Sequence, residues 1–171
     1  PYMEHLCQQT GASVVLAFCE SGSVITFDQV ESRSGLHVVS DIGGRLPLYC
    51  TSLGKAFLAH MSRTGAETLL RSQSMTPFTP HTVTELPALM QEIDRCRADG
   101  YAIENGEYRI GLRSAAAPVY MNEGQARYAV GVIGMFRSIR SEEFTAAVEE
   151  VRAAAAMISA ALGCRMPESA V

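Results

Sequence analysis

At 171 residues and 47% hydrophobic content the chain can close one sizeable core, and it falls within the size range of a single domain. Its net charge is −4, with Lys55 the single lysine against thirteen arginines spread along the whole length, so there is no basic stripe with which to hold nucleic acid directly. No window offers the roughly 18 to 20 apolar residues of a membrane span, and the first residues lack the basic-then-apolar order of a secretory signal; the expectation is a soluble, cytoplasmic protein.

From the start of the chain, Tyr2 to Thr10 reads as the last turns of a helix, with Gly11 as its C-terminal stop. Ser13 to Phe18 and Val24 to Val30 are β-rich runs, and Cys19 to Ser23 between them is a short polar loop, so a β-hairpin is expected. A short run from Leu36 to Val39 and a turn at Asp41 to Gly44 follow. Leu46 to Tyr49 then delivers the chain to a helix capped by Thr51 or Ser52, with Phe57, Leu58 and Met61 on its buried face.

A second short helix is expected over about Gly65 to Arg71. Thr84 is placed to cap a third, whose apolar positions Leu86, Leu89, Met90, Ile93 and Cys96 keep helical spacing up to Gly100. Tyr101 to Glu104 reads as a short strand. Leu112 to Met121 and Arg127 to Phe136 read as longer ones joined at Asn122 to Gly124. Phe144, Val148, Val151, Ala155, Ile158 and Leu162 step by four and three along a long C-terminal amphipathic helix. Strands in hairpins with helices between and at both ends give an α+β class, an antiparallel sheet with helices packed against it.

The five cysteines (Cys7, Cys19, Cys50, Cys96, Cys164) are odd in number, widely spaced and never C-x-x-C, which disfavours both a disulfide framework and a zinc knuckle. His5, His37, His60 and His81 are too scattered to suggest a metal triad, and no metal or other cofactor is expected.

The run LPLYCTSLGKAFLA from Leu46 to Ala59 resembles the signature "LPLHxTxxGKAxLA" of IclR-type bacterial transcription regulators. Gly100 to Val119, GYAIENGEYRIGLRSAAAPV, resembles their second, "GYAxDxEExxxGxRCxAAPV". Thr79 to Leu86 fits the threonine-rich helix entry between them, and Ala153 to Gly163 is similar to the closing "AAxxISxxLG". The resemblance implies a GAF-like or profilin-like effector-binding domain over 12–171 that also self-associates as a dimer or tetramer. Residues 1–11 would end a linker helix from an N-terminal winged helix-turn-helix domain, through which alone operator DNA would be bound. A ligand sensor is implied rather than an enzyme.

A helix opening at Ser52, Leu53 and Gly54 offers unpaired amides and the positive end of its dipole to a carboxylate, and Gly54 would let a ligand come close; in the other reading Ser52 caps and Gly54 packs on a strand. The resemblance adds Glu104, Asn105, Glu107, Leu112, Ser114, Gly131 and Ile133 as pocket positions, with Leu36 and Leu53 as apolar wall. Ser114 stands where many relatives have cysteine, and Gly131 and Ile133 stand where some have serines. The loss of those hydroxyls points to a larger, partly apolar or aromatic acid as effector. Alternatives stay open at three positions: Gly131 as a strand position where a helix comes close, Glu107 as a surface or strand-end acid paired with Arg109 or Arg113, and Arg113 as either a ligand clamp or a partner of Glu104 or Glu107.

Two other functions compete. Ser52 to Lys55 is formally an S-x-x-K nucleophile motif, but its companion motifs are missing. Cys50, just before the helix, is the best candidate for a lowered thiol pKa in a GAF-like redox enzyme. A third reading is an oligomerisation module with a vestigial pocket, its contacts made by apolar residues such as Met121, Tyr128, Met135 and Phe136.

Overall fold

The computed structural model describes residues 1–32, 41–121 and 125–164. Helix α1, Tyr2–Thr10, ends where Gly11 turns left-handed at φ 64° and gives its amide to the Cys7 carbonyl. Strands β1, Ser13–Glu20, and β2, Ser23–Val30, form the expected hairpin with a tighter turn than the composition suggests. Only Ser21 and Gly22 lie between the strands, both at positive φ, which is the two-residue turn whose twist matches that of the strands. Cys19, Glu20 and Ser23 therefore belong to the ladder rather than to a loop. The expected run Leu36 to Val39 and the turn at Asn122 to Gly124 lie outside the described residues.

A two-residue strand β3, Arg45–Leu46, pairs with Val24 and Ile25 and was not anticipated from the sequence. Helix α2, Ser52–His60, is capped by Thr51, whose Oγ1 accepts from the Gly54 amide at 3.1 Å. Helix α3, Arg63–Arg71, starts two residues before the expected position because the Ser62 hydroxyl caps it. Helix α4, Leu86–Asp99, has Glu85 rather than Thr84 at its N-cap, with no side-chain bond there, and Gly100 ends it at φ 77°. Strands β4, Ala102–Asn105, β5, Arg113–Tyr120, and β6, Ala126–Gly134, complete the sheet before helix α5, Glu142–Ala161, which Ser141 caps.

The six strands run β3-β2-β1-β6-β5-β4, every neighbouring pair antiparallel. Alternation along the strands sends Val15, Ala17, Val24, Ala102, Ala116 and Ala129 to one face, against α2 and α4. Val14, Ala115, Ala117, Val119, Val130 and Val132 go to the other, against α1 and α5. The class is α+β, with one apolar layer on each side of a single sheet.

Helix α2 is buried from Ser52 to Ala59, so it lies inside the domain rather than on it. Phe136, expected among the exposed apolar residues, is core: it packs edge-on to Phe144 with ring centroids 5.1 Å apart. Met135 is exposed and Tyr128 half-buried. Among the described residues no helix is long and apolar enough to cross a membrane.

Candidate functional site

Between the start of α2 and the sheet face that α2 and α4 leave partly uncovered lies a cavity of about 220 Å³. Its floor crosses five strands: Thr26 on β2, Val15 on β1, Gly131 and Ile133 on β6, Ser114 on β5 and Glu104 on β4. Thr51, Ser52 and Leu53 form its roof, while Asp41, Gly44, Arg45, Leu46, Tyr108, Arg109 and Leu112 form its rim.

The chain reaches this arrangement through a close crossing. Pro47 and Leu48 pass directly beneath Gly54, where a Cβ would run into the Leu48 backbone, and the Thr51 hydroxyl donates to the Pro47 carbonyl at 2.8 Å. The first turn of α2 is thereby pinned over the sheet. The Gly54 amide is taken by Thr51 Oγ1 and the Lys55 amide by the Thr51 carbonyl. Those of Ser52 and Leu53, at the first two helical positions, have no intrahelical acceptor, and both residues line the cavity. Gly54 is therefore a packing glycine behind the wall and does not line the space.

Glu104 is 3% exposed and held from three directions. Oε1 accepts from the amides of Glu107 and Tyr108, and Oε2 accepts from the Ser114 hydroxyl at 3.0 Å. Burial pushes its carboxyl pKa up, against the opposing effect of those donors and of Lys55. The turn after it is fixed by Thr79 and Thr82, whose hydroxyls donate to the Gly106 and Glu107 carbonyls at 2.6 to 3.2 Å.

Of the sequence-derived site residues, the cavity brings together Ser52, Leu53, Glu104, Leu112, Ser114, Gly131 and Ile133. Leu36 lies outside the described residues. Asn105 and Glu107 face a different hollow along the β4 edge, with Lys55, Glu92 and Cys96. The β-strand period explains Asn105, which falls on the opposite face from Glu104. Glu107 is not the partner of Arg109 or Arg113: its carboxylate grips Lys55 Nζ at 2.6 and 2.8 Å, and Glu92 completes the group at 2.8 Å. Arg113 pairs with neither Glu104 nor Glu107 but donates to the Phe136 carbonyl at 2.6 Å, away from the cavity. Gly131 lies in the floor, yet its neighbour is strand β5 rather than a helix: a Cβ there would stand 2.7 Å from the Ala115 carbonyl oxygen.

The rival chemistries lose their key groups. Lys55 is 1% exposed with its ammonium committed to two carboxylates; burial alone would lower its pKa, but Glu107 and Glu92 hold it above the ordinary value, so it is no base for Ser52. Cys50 is fully buried, and burial, followed by the nearby Glu107 and Glu104 carboxylates, pushes its thiol up to about 12, the opposite of an activated cysteine.

Thr26, Val15, Arg45 and Tyr108 were missed. For Thr26 and Val15 a signal was present in the strand period, which places Thr26 beside Val24 and Val15 beside Ala17 on the inner face; nothing local marks Arg45 or Tyr108.

The family model for the C-terminal region of IclR-type bacterial transcriptional regulators matches residues 1–160. The chain is 29% identical over 167 residues to the transcriptional repressor AllR of Salmonella typhi, covering 98% of this chain and 61% of AllR. It thus spans about three fifths of the length of such curated relatives. Among solved structures, the C-terminal domain of the Escherichia coli regulator KdgR superposes with a TM-score of 0.85 at 28% identity, covering 95% of this chain and 94% of that one. An IclR homologue from Microbacterium hydrocarbonoxydans, complexed with 4-hydroxybenzoate, superposes with a TM-score of 0.85 at 26% identity, covering 95% and 65%.

Proposed function

The chain belongs to the IclR family of bacterial transcriptional regulators, as their C-terminal domain, and from that premise we propose that it senses a small organic acid and passes the binding event to operator-bound domains elsewhere in a longer regulator. Its relatives are regulators, not enzymes. The acid group is held at the start of α2 by the Ser52 and Leu53 amides, where two unpaired donors and the helix dipole both favour an anion. The body of the effector lies over Val15, Leu53, Leu112, Gly131 and Ile133, and Glu104 with Ser114 provides selectivity. The observation that carries this reading is the cavity itself, floored by five strands of the sheet and roofed by the first residues of helix α2.

An aromatic or partly apolar carboxylate suits a floor in which Val15, Gly131 and Ile133 form an apolar stretch, in line with the 4-hydroxybenzoate held by the Microbacterium homologue. No bond is made or broken. The effector acts only through a difference in affinity between two arrangements of the regulator. Residues 1–11 belong to the connector toward an N-terminal winged helix-turn-helix domain that holds operator DNA, and the working form is a cytoplasmic dimer or tetramer. The exposed Phe27, in contact with Phe18 and Tyr128 on the sheet face opposite the cavity, is the apolar patch that self-association would cover.

A thermal-shift screen against about a hundred aliphatic, aromatic and sugar acids tests the reading. A ligand at 100 times its Kd adds about 2.7 kcal/mol, which for a domain of this size raises Tm by about 5 to 10 °C. A dose-dependent rise within one chemical series is the expected result. A flat screen on folded, associated protein would leave only an oligomerisation module.

A further inference from the structure

The two edges of the sheet differ. At one, β3 is only two residues long; at the other, β4 presents four residues that pair with β5 alone. Among the described residues no backbone hydrogen bond reaches β4 from outside the sheet, so half of its amides and carbonyls point outward with no partner in the chain. An open strand edge of this kind is a template for another strand. Beside it runs a hollow of about 450 Å³, to which the half-buried Val83, Cys96, Tyr101, Ile103 and Ile139 give an apolar lining.

Helix α4 forms one wall of the hollow. Its Glu92 is engaged by Lys55, but Arg95 and Asp99, both exposed and one turn apart on the same face, join no ion pair among the described residues. Opposite charges at that spacing complement themselves. Turned over by a two-fold axis, Arg95 meets Asp99 of the partner subunit, and Asp99 meets Arg95 of the partner subunit.

The register of the strand agrees with that of the charges. The chain reverses at Gly100, so α4 packs back along β4 with Asp99 near the start of the strand. The midpoint of Arg95 and Asp99 lies two residues up the helix from Asp99, about 3 Å at the rise of an α-helix. Ile103 lies one strand step, about 3.3 Å, beyond Ala102. A two-fold axis at Ile103 is therefore level with the middle of the charge pair, and it sets Ile103 against Ile103 of the partner subunit with Tyr101 against Asn105 of the partner subunit. Glu104, on the opposite face of the strand, is drawn inward by its own donors and leaves the edge free of a buried charge.

We propose that two copies of this chain pair antiparallel through their β4 edges, centred on Ile103 and flanked by Arg95–Asp99 bridges, joining two six-stranded sheets into one. This rests on the self-association proposed above and adds a second face, separate from the Phe27 patch on β2. Either face alone closes a dimer, and two different self-complementary faces on one chain are what a closed tetramer of dihedral symmetry requires.

Sedimentation analysis over a range of protein concentrations, on wild type, Arg95→Asp, Asp99→Arg, the two combined, and Ile103→Lys, tests the assignment. Wild type should form a tetramer. Each single reversal should raise the tetramer-to-dimer dissociation constant about tenfold or more, because like charges then meet twice across the axis, and the combined swap should restore assembly. Ile103→Lys should stop at the dimer. The reversals lie on exposed positions and should keep the wild-type circular dichroism, so their effect is read on folded protein. Unchanged assembly in the single reversals, or a combined swap as weak as either, overturns the β4 face. A wild-type dimer that these variants leave intact but Phe27→Ser breaks overturns it while the self-association reading stands, whereas a dimer that the β4 variants break keeps this face and removes the other. A wild-type monomer at every concentration overturns both.

Discussion

A methyl group added at Gly54 would land on the carbonyl oxygen and Cα of Leu48, which are backbone atoms with nowhere to go. The first motif needs a glycine there because two chain segments cross, and the ligand is not the reason. Gly54→Ala should therefore cost about 3 kcal/mol, the upper part of the usual overpacking range, and lower Tm by about 6 to 12 °C in a thermal melt. An unchanged Tm would mean that α2 does not sit on the Pro47–Leu48 segment. The same reasoning rules out filling the cavity from Gly131, where a side chain would first meet the Ala115 carbonyl across the ladder. Ile133, two residues along and already projecting into the space, is the position for a plug. Ile133→Phe should cut effector affinity at least tenfold, seen by calorimetry, with a smaller loss of Tm than Gly54→Ala.

Helix α2 carries the cavity roof at its start and, one turn on, the buried Lys55 that ties it to the turn after β4 through Glu107 and to α4 through Glu92. Removing only the cation leaves two carboxylates facing each other under cover, a change that commonly costs about 3 to 5 kcal/mol, so Lys55→Met should show that loss in urea denaturation at neutral pH. Because the ammonium titrates above its ordinary value of 10.5 in the folded chain, its stabilisation is complete below that value and fades as pH rises through the folded one. Wild type should therefore lose stability in that alkaline window, and Lys55→Met should lack that step. Equal stability of wild type and Lys55→Met at neutral pH would show that the three groups do not form the buried cluster. Most elements were legible from periodicity and caps, because α4 and α5 bury one stripe each and the long strands alternate. The start of α2 was legible from its hydroxyls. What escaped was set by contacts remote in sequence: β3, too short to carry a pattern, exists only as the partner of Val24 and Ile25, and Glu107 was assigned nearby arginines while its real partner lies 52 residues away.

At the scale of the whole molecule, the cavity and α1 lie on opposite faces of the same sheet, and the path between them is short. Val15 lines the cavity; four residues earlier Gly11 ends α1. The junction is clamped, since the Ser32 hydroxyl donates to the Gly11 carbonyl at 2.6 Å and the Ser32 amide donates to the Ser13 hydroxyl at 3.2 Å. Val14, beside Val15, faces the layer in which α1 packs on α5. Strand β1 cannot shift toward a ligand without carrying this clamp and the end of α1 with it, because close-packed layers do not deform continuously. Saturating effector should therefore slow amide exchange not only at the cavity, in β1, β6 and the first turn of α2, but also in the last turn of α1. A coupling of about 1 to 3 kcal/mol corresponds to roughly 5- to 150-fold slower exchange there. Hydrogen exchange read by mass spectrometry, peptide by peptide with and without effector, makes the comparison. Protection confined to the cavity, with α1 exchanging at its ligand-free rate, would mean that the signal does not leave along β1.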